Sequence, residues 1–192
     1  VWHLIKKTNL KKMKIIIFGA SGAGTTTLGK SMAKKLNWTF LDADDYYWEK
    51  TNPPFQKKIE LEHRNRMLKK DFAANKNVII NGSLYTWSEF WNTAFDLGVF
   101  LSIPKEIRMK RLLYREIERY GEQLKTSKKI QEKSKVFLEW AAKYDDNNFE
   151  GRSMKQHQNW IKIMNCEVIA LNGDLTNKER QRVVIKKIKT YV

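Results

Sequence analysis

The chain has 192 residues, 42% hydrophobic and 30% charged, with 7 Trp, 7 Tyr and 9 Phe; this fits one folded domain and excludes a disordered or low-complexity chain. The single cysteine, Cys166, excludes an internal disulfide, and the lack of a long apolar run or an export signal gives the expectation of a cytoplasmic protein without a membrane span. With 37 Lys+Arg against 21 Asp+Glu the formal charge is +16, a field that draws nucleotides or phosphorylated metabolites, while lysines scattered along the chain rather than gathered in a patch disfavour nucleic acid.

Residues 1–12, VWHLIKKTNLKK, read as a basic tail ahead of one domain spanning 13–192. Short apolar runs at 14–18, 39–41, 78–81, 98–102 and 167–171 read as strands. Helical periods lie between and after them: Leu28, Met32 and Leu36; then Met109, Leu112, Leu113, Ile117 and Tyr120; then Ile130, Phe137, Trp140, Ala141 and Tyr144. A last helix carries Val184, Ile188 and Tyr191 and opens on the capping-box pair Thr176 and Glu179. This alternation predicts an α/β three-layer sandwich with a five-stranded parallel sheet, whose ligands bind beyond the carboxyl ends of the strands. The stretch between the fourth and fifth strands is too long for a plain crossover and reads as a helical lid insertion over about 120–164.

The first strand runs into Gly19, Ala20, Ser21, Gly22, Ala23, Gly24, Thr25 and Thr26, the phosphate-loop pattern GxxxxGK[ST] with Thr25 in place of the lysine. Main-chain N–H groups and the positive end of the following helix attract phosphate whatever the side chains are. Glycines at 22 and 24 let the backbone approach the anion. Thr26 keeps the hydroxyl that a magnesium ion requires, and Thr27 extends the same nucleotide-binding turn. The charge missing at Thr25 must come from other cations, or catalysis is weak.

At these residues the chain resembles the P-loop nucleoside-monophosphate and small-molecule kinases, and its loop is similar to that of archaeal cytidylate kinases, a group regarded as active without the lysine. FLDADDYYW, NPPF, FDLGVFLSIP, RLLYREIERYG and FLEWAAKYD together resemble an adenylate-kinase-like bacterial group of AAA-family ATPases, over most of residues 13–190. The resemblance implies a P-loop NTPase fold of the nucleoside-monophosphate-kinase type, ATP and Mg2+ as cofactors, and a small-molecule acceptor bearing a hydroxyl or a phosphate.

Asp42, Asp44 and Asp45 end the second strand, where the acceptor pocket lies in P-loop kinases. Asp42 and Asp44 share a side of an extended chain and resemble the DxD of shikimate kinases; Asp44 is assigned to orient the acceptor, and Asp42 to magnesium or its surroundings. An acidic helix cap is the plain alternative. Tyr47 and Trp48, next to Tyr46, read equally as an aromatic pocket wall or as core. Arg64 either grips an acidic group of the acceptor or is solvated. Gly82 and Ser83 let an acceptor approach the backbone after the third strand, whereas Asn81 stands where such kinases often carry an aspartate for magnesium.

Arg108, Arg111, Arg115 and Arg119 form one helical stripe. In kinases resembling this chain, arginines at that place swing over the phosphates with the lid, so Arg111, Arg115 and Arg119 are expected as catalytic compensation for Thr25; Glu106, Glu116 and Glu118 offer a solvated, salt-bridged helix instead. Asn172, Gly173 and Asp174 match the loop along the adenine edge in related folds, and a plain turn looks the same. His157 has no partner spacing for zinc or a triad and reads as a surface or packing residue. Together these motifs point to an ATP-dependent phosphotransferase with a small-molecule acceptor. The alternatives are a nucleoside-monophosphate kinase and a non-catalytic regulatory protein that binds ATP or ADP; the oligomeric state is open.

Overall fold

The computed structural model describes residues 12–191; the tail expected over 1–12 lies, Lys12 apart, outside the described residues. The central strand is β1 (Lys14–Gly19), whose three isoleucines and phenylalanine are fully buried. A strand covered on both faces needs no polar alternation, which is why this run is continuously apolar. With β2 (Thr39–Asp42), β3 (Val78–Asn81), β4 (Leu97–Ser102) and β5 (Glu167–Asn172) it forms a sheet of order β2-β3-β1-β4-β5. Every pairing is parallel. The expected five-stranded parallel sheet is therefore present, and each strand ends within one residue of its predicted span.

The helices are α1 (Thr25–Leu36), α2 (Ala43–Tyr47), α3 (Leu61–Ala74), α4 (Phe90–Thr93), α5 (Lys105–Tyr120), α6 (Gln123–Thr126), α7 (Lys128–Ala142), α8 (Met154–Ile163) and α9 (Asn177–Ile188). Successive side chains of β1 point to opposite faces, and each face has its own core. Ile15 and Ile17 pack with Leu28 and Met32 of α1 and Val184 and Ile188 of α9. Ile16 and Phe18 pack with Leu68 and Phe72 of α3, Trp91 of α4 and Trp160 of α8. Truncating fully buried Ile17 or Leu28 to alanine is expected to cost about 2–5 kcal/mol. The capping box read at Thr176 and Glu179 opens α9 as expected. No helix among the described residues is long and apolar enough to cross a membrane.

The stretch expected to form a lid is mostly helical, with an irregular segment over 146–153, and its last helix packs against the sheet. Trp160 of α8 sits 4.9 Å from Phe18 ring to ring, and its indole N–H donates to Asn92 at 2.9 Å. The rest packs on α5: Phe137 of α7 lies 5.9 Å from the Arg115 guanidinium, and Asp145 of the turn Lys143–Asp145 pairs with Arg108. Sheet register then assembles the site. Asp42 stands beside Asn81, and Asn81 beside Ile17, so the carboxyl ends of β2 and β3 deliver two polar side chains next to the loop that leaves β1.

Candidate active site

The loop after β1 takes the shape its glycines permit. Gly22 has φ +81°, and a Cβ there would lie 2.7 Å from the carbonyl oxygen of Arg108, so any side chain meets both backbone strain and a fixed neighbour. Ala23 donates its N–H to Ala20 at 3.1 Å, which closes the turn and leaves Ala23 buried within it. Gly24, left-handed at φ 89°, precedes α1 with no side-chain cap. The first-turn amides of Thr25, Thr26 and Thr27 have no intrahelical acceptor, which makes an anion the natural partner of this end.

A cavity of about 250 Å³ opens over the loop. The structure brings to it Gly19, Ser21, Gly22, Gly24, Thr25, Thr26 and Thr27 from the loop, Asp42, Asp44, Tyr47, Gly82 and Ser83 from the ends of β2 and β3 and the segments that follow them, and Arg111 and Arg115 from α5. Asn81 ties the two halves together: its amide Nδ2 donates to Thr26 Oγ1 at 2.8 Å and to Asp42 Oδ1 at 2.9 Å. Asn81 Oδ1, buried in the same place, has no hydrogen-bond partner. Burial, reinforced by neighbouring Asp44, pushes the Asp42 carboxyl above the usual carboxylate range. Asp42 also accepts from the Asp44 N–H at 3.2 Å and so caps α2. Cap and cavity residue are thus the same side chain. Gly82, at φ +126°, lets the chain pass so close over α2 that a Cβ would lie 2.5 Å from that of Ala43.

One aromatic wall is only partly the expected one. Tyr47 lines the cavity with Trp87, their rings 6.3 Å apart. Trp48 does not; it packs on Tyr47 and Phe55 at 4.9 and 5.9 Å. Arg64 is likewise off the lining. Its guanidinium backs Tyr47 at 4.1 Å and Trp87 at 4.9 Å, and Nη1 donates to the carbonyl of Ile59 at 3.3 Å. It holds the wall up by cation–π contact instead of facing the cavity.

The arginine stripe divides by position. Arg108 is fully buried, donates to the Ile103 carbonyl at 3.0 Å and pairs with Asp145. Arg111 lines the cavity, reaches the Gly22 carbonyl at 3.4 Å and pairs with Asp174. Arg115 lines it too, with Phe137 of α7 at 5.9 Å; burial, then the charge of Arg119, lowers its pKa. Arg119 is not brought to the cavity: it pairs with Glu116 at 2.8 Å and lies over Phe55 at 4.5 Å.

Asn172, Gly173 and Asp174 also stand off the lining. Gly173 donates to the Ser102 carbonyl at 2.9 Å, and Asp174 is spent on Arg111 and, at 3.9 Å, on Arg180.

Two cavity residues and one buried beside the loop escaped the sequence. Trp87 and Arg152 line the cavity, and Arg180 lies beneath the loop, its Nη1 donating to the Ala23 carbonyl at 2.8 Å. Arg180 is 4% exposed, its Nε and Nη2 have no hydrogen-bond partner, and burial followed by repulsion from Arg111 lowers its pKa. Arg152 rests against Trp140 of α7 at 5.4 Å. Arg111, Arg115 and Arg152 thus bring three guanidinium groups to the cavity that Thr25 also lines, and Arg180 lies against its loop. Only Trp87 had a usable signal, as a large aromatic soon after a buried strand.

Residues 15–135 match the AAA_18 family, described as an AAA domain. Uncharacterized protein YqaC of Bacillus subtilis (strain 168) is 41% identical over 169 residues, 88% of this chain and 93% of that protein. A Rattus norvegicus protein named probable gluconokinase is 32% identical over 75 residues, 34% of this chain and 40% of its own length. Among solved structures, shikimate kinase from Acinetobacter baumannii in complex with shikimate covers 99% of this chain and 98% of its own at a TM-score of 0.57 and 18% identity, a likeness of fold.

Proposed function

The chain belongs to the AAA_18 family and has the fold of the P-loop kinases, and from that premise we propose that it transfers the γ-phosphoryl group of ATP to an oxygen of a small polar acceptor. The observation that carries this reading is the row Thr26–Asn81–Asp42, hydrogen-bonded across the cavity floor from the phosphate loop to the acceptor-side carboxylates. A bare anion-binding turn has no need of it.

In this reading the loop amides and the end of α1 hold the terminal phosphates. Arg111 and Arg115, on the cavity wall, neutralise the charge that spreads over the transferring group, with Arg180 acting through the loop from below. Asp44 orients the acceptor hydroxyl and takes its proton late in the transfer. The cavity is small for a ligand site, and Arg152 on its wall favours an acceptor that also carries a carboxylate or a phosphate.

Magnesium fits the residues present. Thr26 offers a hydroxyl and Asp42 a carboxylate, while the unpartnered Asn81 Oδ1 is ready to accept from a water. No group of three or more His, Cys, Asp or Glu among the described residues forms a cage, the arrangement suited to an ion that keeps its waters and binds chiefly through substrate phosphates. Held by Thr26 and Asp42, the ion would supply positive charge to offset that of the bound phosphates.

A second reading, a nucleoside-monophosphate kinase, is favoured by the Tyr47 and Trp87 wall, which suits a flat base. A phosphoryl-transfer screen with Mg-ATP over sugar acids, polyols, sugar phosphates and nucleoside monophosphates, read as ADP, tests both. Acceptor-dependent ADP from an anionic hydroxyl compound supports the first, and from a nucleoside monophosphate the second. Saturable ATP binding without any acceptor-dependent ADP overturns both in favour of a nucleotide sensor.

A further inference from the structure

A buried histidine lies behind the acceptor wall, outside the phosphate chemistry described above, and both of its ring nitrogens are engaged. His157 of α8 is 0% exposed. Its Nε2 is 2.7 Å from Ser83 Oγ, and its Nδ1 is 2.6 Å from Tyr144 Oη. The rings of Phe18, Phe100 and Tyr85 stand edge-on to it at 5.4, 5.8 and 5.9 Å. Burial among them, followed by the charge of Arg152, holds its pKa down at about 3. The imidazole is therefore neutral and has one N–H to give and one lone pair to offer.

Which nitrogen carries the proton follows from the hydrogen-bond network. Tyr144 is 4% exposed, and its hydroxyl has no other partner among the described residues. If Nδ1 held the proton, it would donate to the phenolic oxygen, and the phenolic O–H would be left buried with nothing to bond. That is strongly unfavourable. With the proton on Nε2, the Tyr144 O–H donates to Nδ1 and the Nε2–H donates to Ser83 Oγ, so every group of the relay is satisfied. One hydrogen is left over, that of Ser83, and Ser83 lines the cavity.

We propose that Tyr144 and His157 are positioning residues that leave the Ser83 O–H free to donate toward the acceptor, so that the site favours an acceptor presenting an oxygen lone pair at that point. With Arg152 on the same cavity wall, the group that meets both best is a carboxylate or phosphate oxygen. The relay is a property of the fold; its consequence for specificity rests on the phosphotransfer reading.

Two measurements on the full chain test this. The first is NMR of protein labelled with 15N in its histidine rings, His157 being assigned by removing the other two with His3→Gln and His63→Gln. The relay requires the proton on Nε2 and none on Nδ1, unchanged between pH 5 and 8; a proton on Nδ1, or titration in that range, overturns it. The second is kinetic. Ser83→Ala is expected to raise the acceptor KM about tenfold, about 1.4 kcal/mol, with the ATP KM unchanged. Tyr144→Phe frees Nδ1, lets the ring accept from Ser83 instead, and should raise the acceptor KM comparably. In the double variant Tyr144→Phe should add nothing. Independent, multiplying effects, or a Tyr144→Phe enzyme with unaltered acceptor KM, overturn the positioning role. Should no acceptor turn over at all, the phosphotransfer reading fails, and the NMR result still decides the relay.

Discussion

The two walls of the cavity are built by opposite means. On the loop side, consecutive residues from Gly19 to Thr27 present main-chain amides at the head of one helix, and apart from the Thr26 hydroxyl the side-chain demand is for small or absent ones. On the wall proposed to face the acceptor, Asp42, Asn81, Ser83, Trp87 and Arg152 arrive from separate segments, joined by side-chain contacts such as Asn81 to Thr26 and Asp42. A wall made of backbone tolerates a replaced side chain, which is how Thr25 stands where a lysine is usual. A wall made of side chains does not, and there a single exchange alters what is bound.

The largest effect expected from this contrast is at Gly22. Gly22→Val drives a side chain against the Arg108 carbonyl at a positive φ and should weaken nucleotide binding on the order of 100-fold or more by calorimetry. Thr25→Ala should change it less than about threefold. Equal losses in the two variants would mean that side chains, not backbone, make that wall.

Next comes the row between the walls. Asn81→Leu removes the donors to both Thr26 and Asp42 and should lower kcat roughly 100-fold while nucleotide affinity stays within a few fold. It also has a pH signature. Because the Asp42 pKa already lies above the ordinary range, activity that needs its carboxylate falls as pH drops through that raised value. Losing the Asn81 donor moves the acid limb to still higher pH. A limb that stays put in Asn81→Leu would dissociate Asp42 from catalysis.

Arg152→Ala acts on the acceptor wall alone and should raise the acceptor KM about tenfold with the ATP KM unchanged. A parallel rise in both would move Arg152 to the phosphate side. Smallest is Arg119→Ala. With its guanidinium on Glu116 and Phe55, kcat should fall less than about threefold; a loss of tenfold or more would show that α5 and α7 shift to carry it over the cavity.

The same contrast explains what the sequence disclosed. The loop, its strand and its helix are contiguous and follow local rules, so Gly19 to Thr27 were legible, as were strands buried on both faces. The opposite wall was legible at the strand ends, Asp42, Asp44, Gly82 and Ser83, and at Tyr47 one short helix beyond. The arginine stripe was read correctly as one face of a helix, but Arg119, about 12 Å from Arg111 along the axis, is held on Glu116 and Phe55, and Arg108 is taken by the core. Arg180 looks like its neighbours Lys178 and Arg182 in an exposed helix; only packing against the loop buries it. Arg152 precedes α8 with no periodicity to mark it, and Asp174 needed a view of Arg111 to be recognised as an ion-pair partner.

A side-by-side calorimetric titration of Mg-ATP into the unaltered chain and Arg111→Ala decides whether amides and guanidinium groups replace the missing ammonium. Saturable binding in the first, weakened about tenfold in the second, is the predicted result. No saturable heat in the unaltered chain, or the same affinity in both, contradicts it.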